Sequence, residues 1–219
     1  MTNIKADKAA RMRMDDRLTA GTYNLIIGGC LVYGFLLNAF IVGTCSRFFM
    51  GMNPIIFLVG YFVLCIAGIA LSRSPDPAKS FLGYNLGVVP IGAVLSGSLP
   101  AYYTADILSA IVVTGAVVAV MMGLSAAFPK VFANLGGALG IALFVSLIAQ
   151  LIAMLFGYGG QAFNWIFVVI FSLYIGYDWH KAQMYAKTVD NAIDSSLDLY
   201  LDIINLFLRI LQIMSRSRD

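Results

Sequence analysis

The sequence predicts an all-α, polytopic membrane protein of seven transmembrane helices with the C-terminal helix central, and three observations carry that reading. Of 219 residues, 60% are hydrophobic and 11% charged, whereas an ordinary soluble domain carries roughly 25% charged residues. Seven apolar runs are long enough to cross a bilayer, which takes about 20 helical residues each. The third observation is the stretch Asp194-Ser-Ser-Leu-Asp198-Leu-Tyr-Leu-Asp202-Ile-Ile-Asn205-Leu-Phe-Leu-Arg209. At about 100° per residue, positions 194, 198, 202, 205 and 209 share one narrow face. Leu199, Leu201, Ile203, Ile204, Leu206, Phe207 and Ile210 cover the rest. A surface helix has a broader polar face, so this one reads as a membrane helix wrapped by others, its stripe turned to a polar interior.

The elements follow in order. Residues 1–21 form a polar tail bearing Lys5, Lys8, Arg11, Arg13 and Arg17, which the positive-inside rule assigns to the cytoplasm. Spans are expected at 22–43, 54–72, 81–99, 105–127, 134–156, 163–180 and 196–214. The transmembrane domain is thus 22–214, and 215–219 a short C-terminal tail. Arg73, Lys79, Lys130, Lys181 and Lys187 then fall in inward loops and Arg47 in an outward one. Arg209, Arg216 and Arg218 are the exception, because seven spans place them outside. Thr104 and Asp106 open the fourth run with a helix-start signal, and Ser74-Pro-Asp-Pro77 is a turn.

Gly83, Gly87, Gly92 and Gly97 in the third run, and Gly136, Gly137 and Gly140 in the fifth, suit close helix packing. Asn38, Asn85, Ser146 and Gln150 suit interhelical hydrogen bonds. Cys30, Cys45 and Cys65 are odd in number and read as packing residues rather than a disulfide framework. The first apolar run is too long for a signal peptide and lacks a small-residue cleavage site. A net charge of +3 with no exposed basic domain gives no case for nucleic acid. The single histidine, His180, cannot make a transition-metal site alone and leaves room for a modest pH-sensing contribution. All eleven acidic residues are aspartates, and those at membrane depth are functional candidates because ionisable groups there are costly unless paired or hydrated.

Two segments carry a resemblance. Phe171-Ser-Leu-Tyr-Ile-Gly-Tyr-Asp178 closes the sixth run, and Asp190-Asn-Ala-Ile-Asp194 leads into Leu197-Asp-Leu-Tyr-Leu-Asp202-Ile-Ile-Asn205-Leu-Phe-Leu-Arg-Ile-Leu. Together they resemble the transmembrane Bax inhibitor motif family. The resemblance implies seven helices with the last one central and six around it. It also implies a calcium-permeable, pH-sensitive leak channel of an internal or bacterial membrane, linked to suppression of cell death. The family's aspartate pair, a proton sensor, matches Asp178 and Asp202, and its basic latch matches Arg73. Trp179-His180 departs from the small polar residues common after that first aspartate.

Physical reasoning runs beside the resemblance. With the sixth helix inward and the seventh outward, Asp178 and Asp202 lie in the same cytoplasmic part of the bilayer. Two carboxylates held close in a low dielectric tend to share one proton. Carboxylate-rich surfaces suit a hard cation such as calcium, which makes Asp178 and Asp202 candidate calcium ligands and Asp194, Asp198 and Asn205 candidate pathway residues. Calcium is here the transported ion, and no cofactor is expected.

Two other functions compete. Intramembrane aspartyl proteases also pair carboxylates, but they place the second in Gly-x-Gly-Asp. Here it stands in Tyr200-Leu201-Asp202 with no proline after it, so no enzyme is expected. The alternative is a non-conducting membrane regulator that binds other membrane proteins, such as a membrane protease or a cell-death factor. The expected location is a bacterial inner membrane.

Overall fold

The computed structural model describes residues 17–157 and 161–216. Lys5, Lys8, Arg11 and Arg13 of the expected tail, and Arg218, lie outside the described residues. Among those described, the chain forms eight helices and no strand: α1 Ala20–Met50, α2 Pro54–Ser72, α3 Pro77–Ser98, α4 Thr104–Ala127, a short α5 Pro129–Ala133, α6 Gly136–Leu155, α7 Gln161–Met184 and α8 Val189–Arg216.

Side-chain caps set several of the starts. Each supplies an acceptor to backbone N–H groups that the first helical turn leaves unpaired. Thr19 Oγ1 accepts from the Thr22 amide at 3.1 Å, Asn53 Oδ1 from Ile55 at 2.9 Å, and Asp76 Oδ1 from Ala78 at 3.0 Å. Pro54 and Pro77 follow their caps at the first helical position, where a missing N–H costs nothing. The Ser74–Pro77 turn is therefore the start of α3. Asp106 falls in the first turn of α4, as the sequence signal requires, and is buried there.

Contacts fix the directions. Tyr23 of α1 meets Ser195 of α8 and Phe35 meets Tyr200, so these two helices run parallel. Lys181 meets Asp198 while Asn164 meets Arg209, so α7 and α8 run antiparallel. The bundle has a near end, where α1, α3 and α8 begin and α2, α4 and α7 finish, and a far end opposite.

α8 occupies the centre and packs on α1, α2, α3, α4 and α7. Fifteen of its 28 residues are buried, including Leu197, Leu199, Tyr200, Leu206 and Leu211. The ring around it differs from the six helices expected: α6 stands outside it, packed on α7, and reaches α8 through Gln150. Six helices among the described residues are long and apolar enough to cross a membrane. The seventh expected crossing, α8, is longer than most of them but carries the charged stripe, so its place in the layer rests on packing rather than hydropathy.

Because lipid tails are as apolar as leucine, helices in a membrane hold together by close packing and polar contacts rather than by the hydrophobic effect. Both are present. A Cβ on Gly68 would lie 2.7 Å from the Gly87 amide nitrogen, and one on Gly83 would collide with the Ser72 amide; α2 and α3 thus touch backbone to backbone. Asn38 Nδ2 donates to the Tyr200 hydroxyl, and Tyr33 Oη donates to Asn85 Oδ1 at 2.7 Å.

Candidate functional site

A charged seam runs along the contact between α7 and α8. Near its centre Asp178 and Asp202, both buried, pair side chain to side chain. Asp202 Oδ2 has no N–H or O–H partner among the described residues. Two carboxyls this close in a poorly hydrated place do not both ionise easily. The position of Asp178 is fixed from behind: Ser125 Oγ of α4 donates to the Gly176 carbonyl at 2.7 Å, and the Phe132 ring of α5 fills the space that a side chain at Gly176 would need.

One turn along α7, Lys181 Nζ donates to Asp178 Oδ1 at 3.2 Å and to Asp198 Oδ2 at 2.6 Å. The residue therefore bridges its own helix to α8. Its side chain keeps 29% of its exposure, and that of Asp198 keeps 26%, so water still screens part of this pairing.

Nearer the bundle end, Asp194 Oδ1 accepts from Ser72 Oγ at 2.7 Å, which ties α8 to the end of α2. Ser80 Oγ of α3 donates to the Ser72 carbonyl at 2.6 Å and to that of Asp190 at 3.3 Å. Beside them opens a polar cavity of about 180 Å³ lined by Ser72, Arg73, Ser74, Tyr185, Asp190, Asn191 and Asp194. In the linker between α7 and α8, burial holds the Lys187 ammonium below its ordinary pKa. Its Nζ sits 4.4 Å from the Tyr23 ring centre and donates to the Gln183 carbonyl at 2.8 Å, closing the end of α7.

The structure distributes the sequence-derived residues as follows. Asp178 and Asp202 come together. Asp198 joins them through Lys181. Asp194 and Arg73 stand apart from the pair, at the cavity, and the described cation in contact with Asp178 is Lys181. Asn205 turns back on its own helix and donates to the Leu201 carbonyl at 2.7 Å. Among the described residues no three acidic, histidine or cysteine side chains converge on one point, so the pair offers calcium a fraction of the six to eight oxygens it takes. The contacts of Lys181, Ser72 and Arg209 go beyond what the sequence predicts. For Lys181 the sequence carries one signal, its i, i+3 spacing from Asp178, which puts both on one helix face.

Long apolar helices closed around a helix whose charges point inward define a polytopic membrane protein with a polar interior. The sequence profile of the family described as "Inhibitor of apoptosis-promoting Bax1" matches residues 16–219, and the chain belongs to this Bax inhibitor family. No curated protein matches the chain.

Proposed function

We propose that the protein is a pH-sensitive calcium leak channel of a bacterial inner membrane, gated by protonation of Asp178 and Asp202. The observation that carries this reading is the buried carboxyl pair in the α7–α8 seam, joined through Lys181 to Asp198. An ionisable network at membrane depth is costly and is retained for function more readily than for stability. Such a pair changes charge in response to protons, and here the change falls where two helices meet.

In the closed form, negative charge on Asp178 and Asp198 holds Lys181 and keeps α7 against α8. Added protons discharge the carboxyls, weaken that tie, and shift the population towards a seam that admits water and ions. Calcium then moves past Asp194, Asp198, Asp202 and Asn205, keeping part of its water shell. Arg73 acts at the mouth of this route, beside Asp194, while Lys181 serves as the latch on the pair. The near end carries Arg17, Arg73, Lys79, Lys130, Lys181 and Lys187, which by the positive-inside rule supports a cytoplasmic near end and N-terminus.

The test is calcium flux into dye-loaded liposomes from pH 5 to 8 for wild type, Asp178→Asn and Asp202→Asn. The expected result is wild-type flux that changes with pH and a profile that flattens in either variant. Wild-type flux with unchanged profiles in both variants removes the gate. Absence of flux in every sample, with a membrane protein co-purifying, assigns the chain to the non-conducting regulators instead.

A further inference from the structure

We infer that Arg209 is a second closure of the same seam, a positively charged constriction at the far end that opposes the exit of cations. The inference rests on the leak-channel reading and deepens it. On α8, Arg209 falls on the same narrow face as Asp198 and Asp202, about 10 Å beyond Asp202 at 1.5 Å rise per residue. It meets the same partner helix: Arg209 Nη1 donates to Asn164 Oδ1 of α7 at 3.0 Å, and the guanidinium carbon lies 4.2 Å from the Phe167 ring centre. Its other arm reaches Gln150 Oε1 of α6 at 3.4 Å.

The chemistry of these partners is what sets Arg209 apart. Asn164 is itself buried, and amide oxygens and an aromatic face satisfy a guanidinium's hydrogen bonds and polarity without cancelling its charge. The described ion pairs use Lys181 with Asp178 and Asp198, and no described carboxylate pairs with Arg209. At the near end of the seam a cation is outnumbered by acids; at the far end the described partners of Arg209 are amide oxygens and an aromatic ring. A divalent ion moving along the stripe therefore passes from an attractive segment to a repulsive one, and Coulomb repulsion from a fixed charge is strong where water is scarce.

The test compares calcium flux into dye-loaded liposomes for wild type, Arg209→Gln, Arg209→Lys and Gln150→Glu, each monodisperse in detergent beforehand. Removing the charge in Arg209→Gln should raise flux on the order of tenfold, and Arg209→Lys should stay close to wild type. Gln150→Glu keeps the arginine, sets a carboxylate beside it, and should also raise flux. That variant decides the question if Arg209→Gln fails to fold, because a purely mechanical plug would be tightened by the new ion pair and would conduct less. Wild-type rates in Arg209→Gln, or reduced flux in Gln150→Glu, overturn the proposal. Wild-type protein that moves no calcium at any pH overturns the leak reading itself and takes this closure with it.

Discussion

Lys181 Nζ lies closer to Asp198 on the neighbouring helix, at 2.6 Å, than to Asp178 on its own, at 3.2 Å. The stronger contact is thus the one that crosses the seam. Removing the cation leaves two carboxylates in a poorly hydrated place, and breaking a fully buried ion pair costs about 3–5 kcal/mol. Partial exposure reduces that figure, so Lys181→Met should lose about 1–3 kcal/mol. Thermal unfolding in detergent reads the loss. The double variant Lys181→Met/Asp198→Asn should recover part of it, because the orphaned charge is then gone.

Asp202→Asn should respond to pH in a defined direction. In the proposed gate the folded pair shares one proton at low pH, whereas in the unfolded chain each carboxyl ionises independently. The native state therefore binds more protons, and wild-type stability falls as pH rises through the window in which the pair discharges. Asparagine has no charge to gain. The difference in melting temperature between Asp202→Asn and wild type should accordingly grow in favour of the variant from pH 5 to pH 8. A gap that stays constant across this range would remove the shared proton.

Gly83 and Gly137 should separate sharply under the same substitution. A side chain at Gly83 meets the backbone of Ser72, whereas nothing lies within 4 Å of the Cβ position at Gly137. Gly83→Ala should cost about 1–3 kcal/mol by overpacking. Gly137→Ala should be neutral or gain up to about 1 kcal/mol from helix propensity. Melting temperatures of the two purified variants check both outcomes.

The bond between Ser72 and Asp194 can be isolated by a double-mutant cycle. Ser72→Ala and Asp194→Asn should each destabilise, with the first costing about 1.5–3 kcal/mol as a hydrogen bond to a charged group. The coupling between them should be about 0.5–3 kcal/mol, because they touch directly. Additive effects would show that the contact contributes nothing beyond its two ends.

Much of this architecture is written in local chemistry. Asn53-Pro54 and Asp76-Pro77 mark helix starts by capping, and the stripe from Asp194 to Arg209 marks a helix that cannot face lipid. Hydropathy was less able to mark helix ends. α1 continues to Met50, past the apolar run that stops near 43, and its polar Thr44 Oγ1 and Ser46 Oγ are satisfied inside the helix by the Phe40 and Val42 carbonyls. α7 likewise runs on to Met184. This extension matters for the site, since it moves Lys181 from an expected loop into the helix that carries Asp178. Spacing along one chain reveals neighbours within a helix; it does not reveal that Ser72 and Asp194, or Asn164 and Arg209, meet across the bundle.

The placement of α8 has a consequence for biogenesis. The helix around which α1, α2, α3, α4 and α7 are arranged follows all of them in the chain, so during synthesis they enter the bilayer before their shared centre exists. Its own charges make it a poor candidate for independent insertion, since each aspartate or arginine at mid-membrane costs about 2.5–3.5 kcal/mol on insertion scales. The earlier helices, α2 and α3 among them packed backbone to backbone, have polar groups at Ser72, Tyr23, Asn38 and Lys181 that meet the last one when it arrives. A ribosome that stalls before residue 189 would release a chain with the six apolar spans and without their shared centre, a natural substrate for membrane quality control.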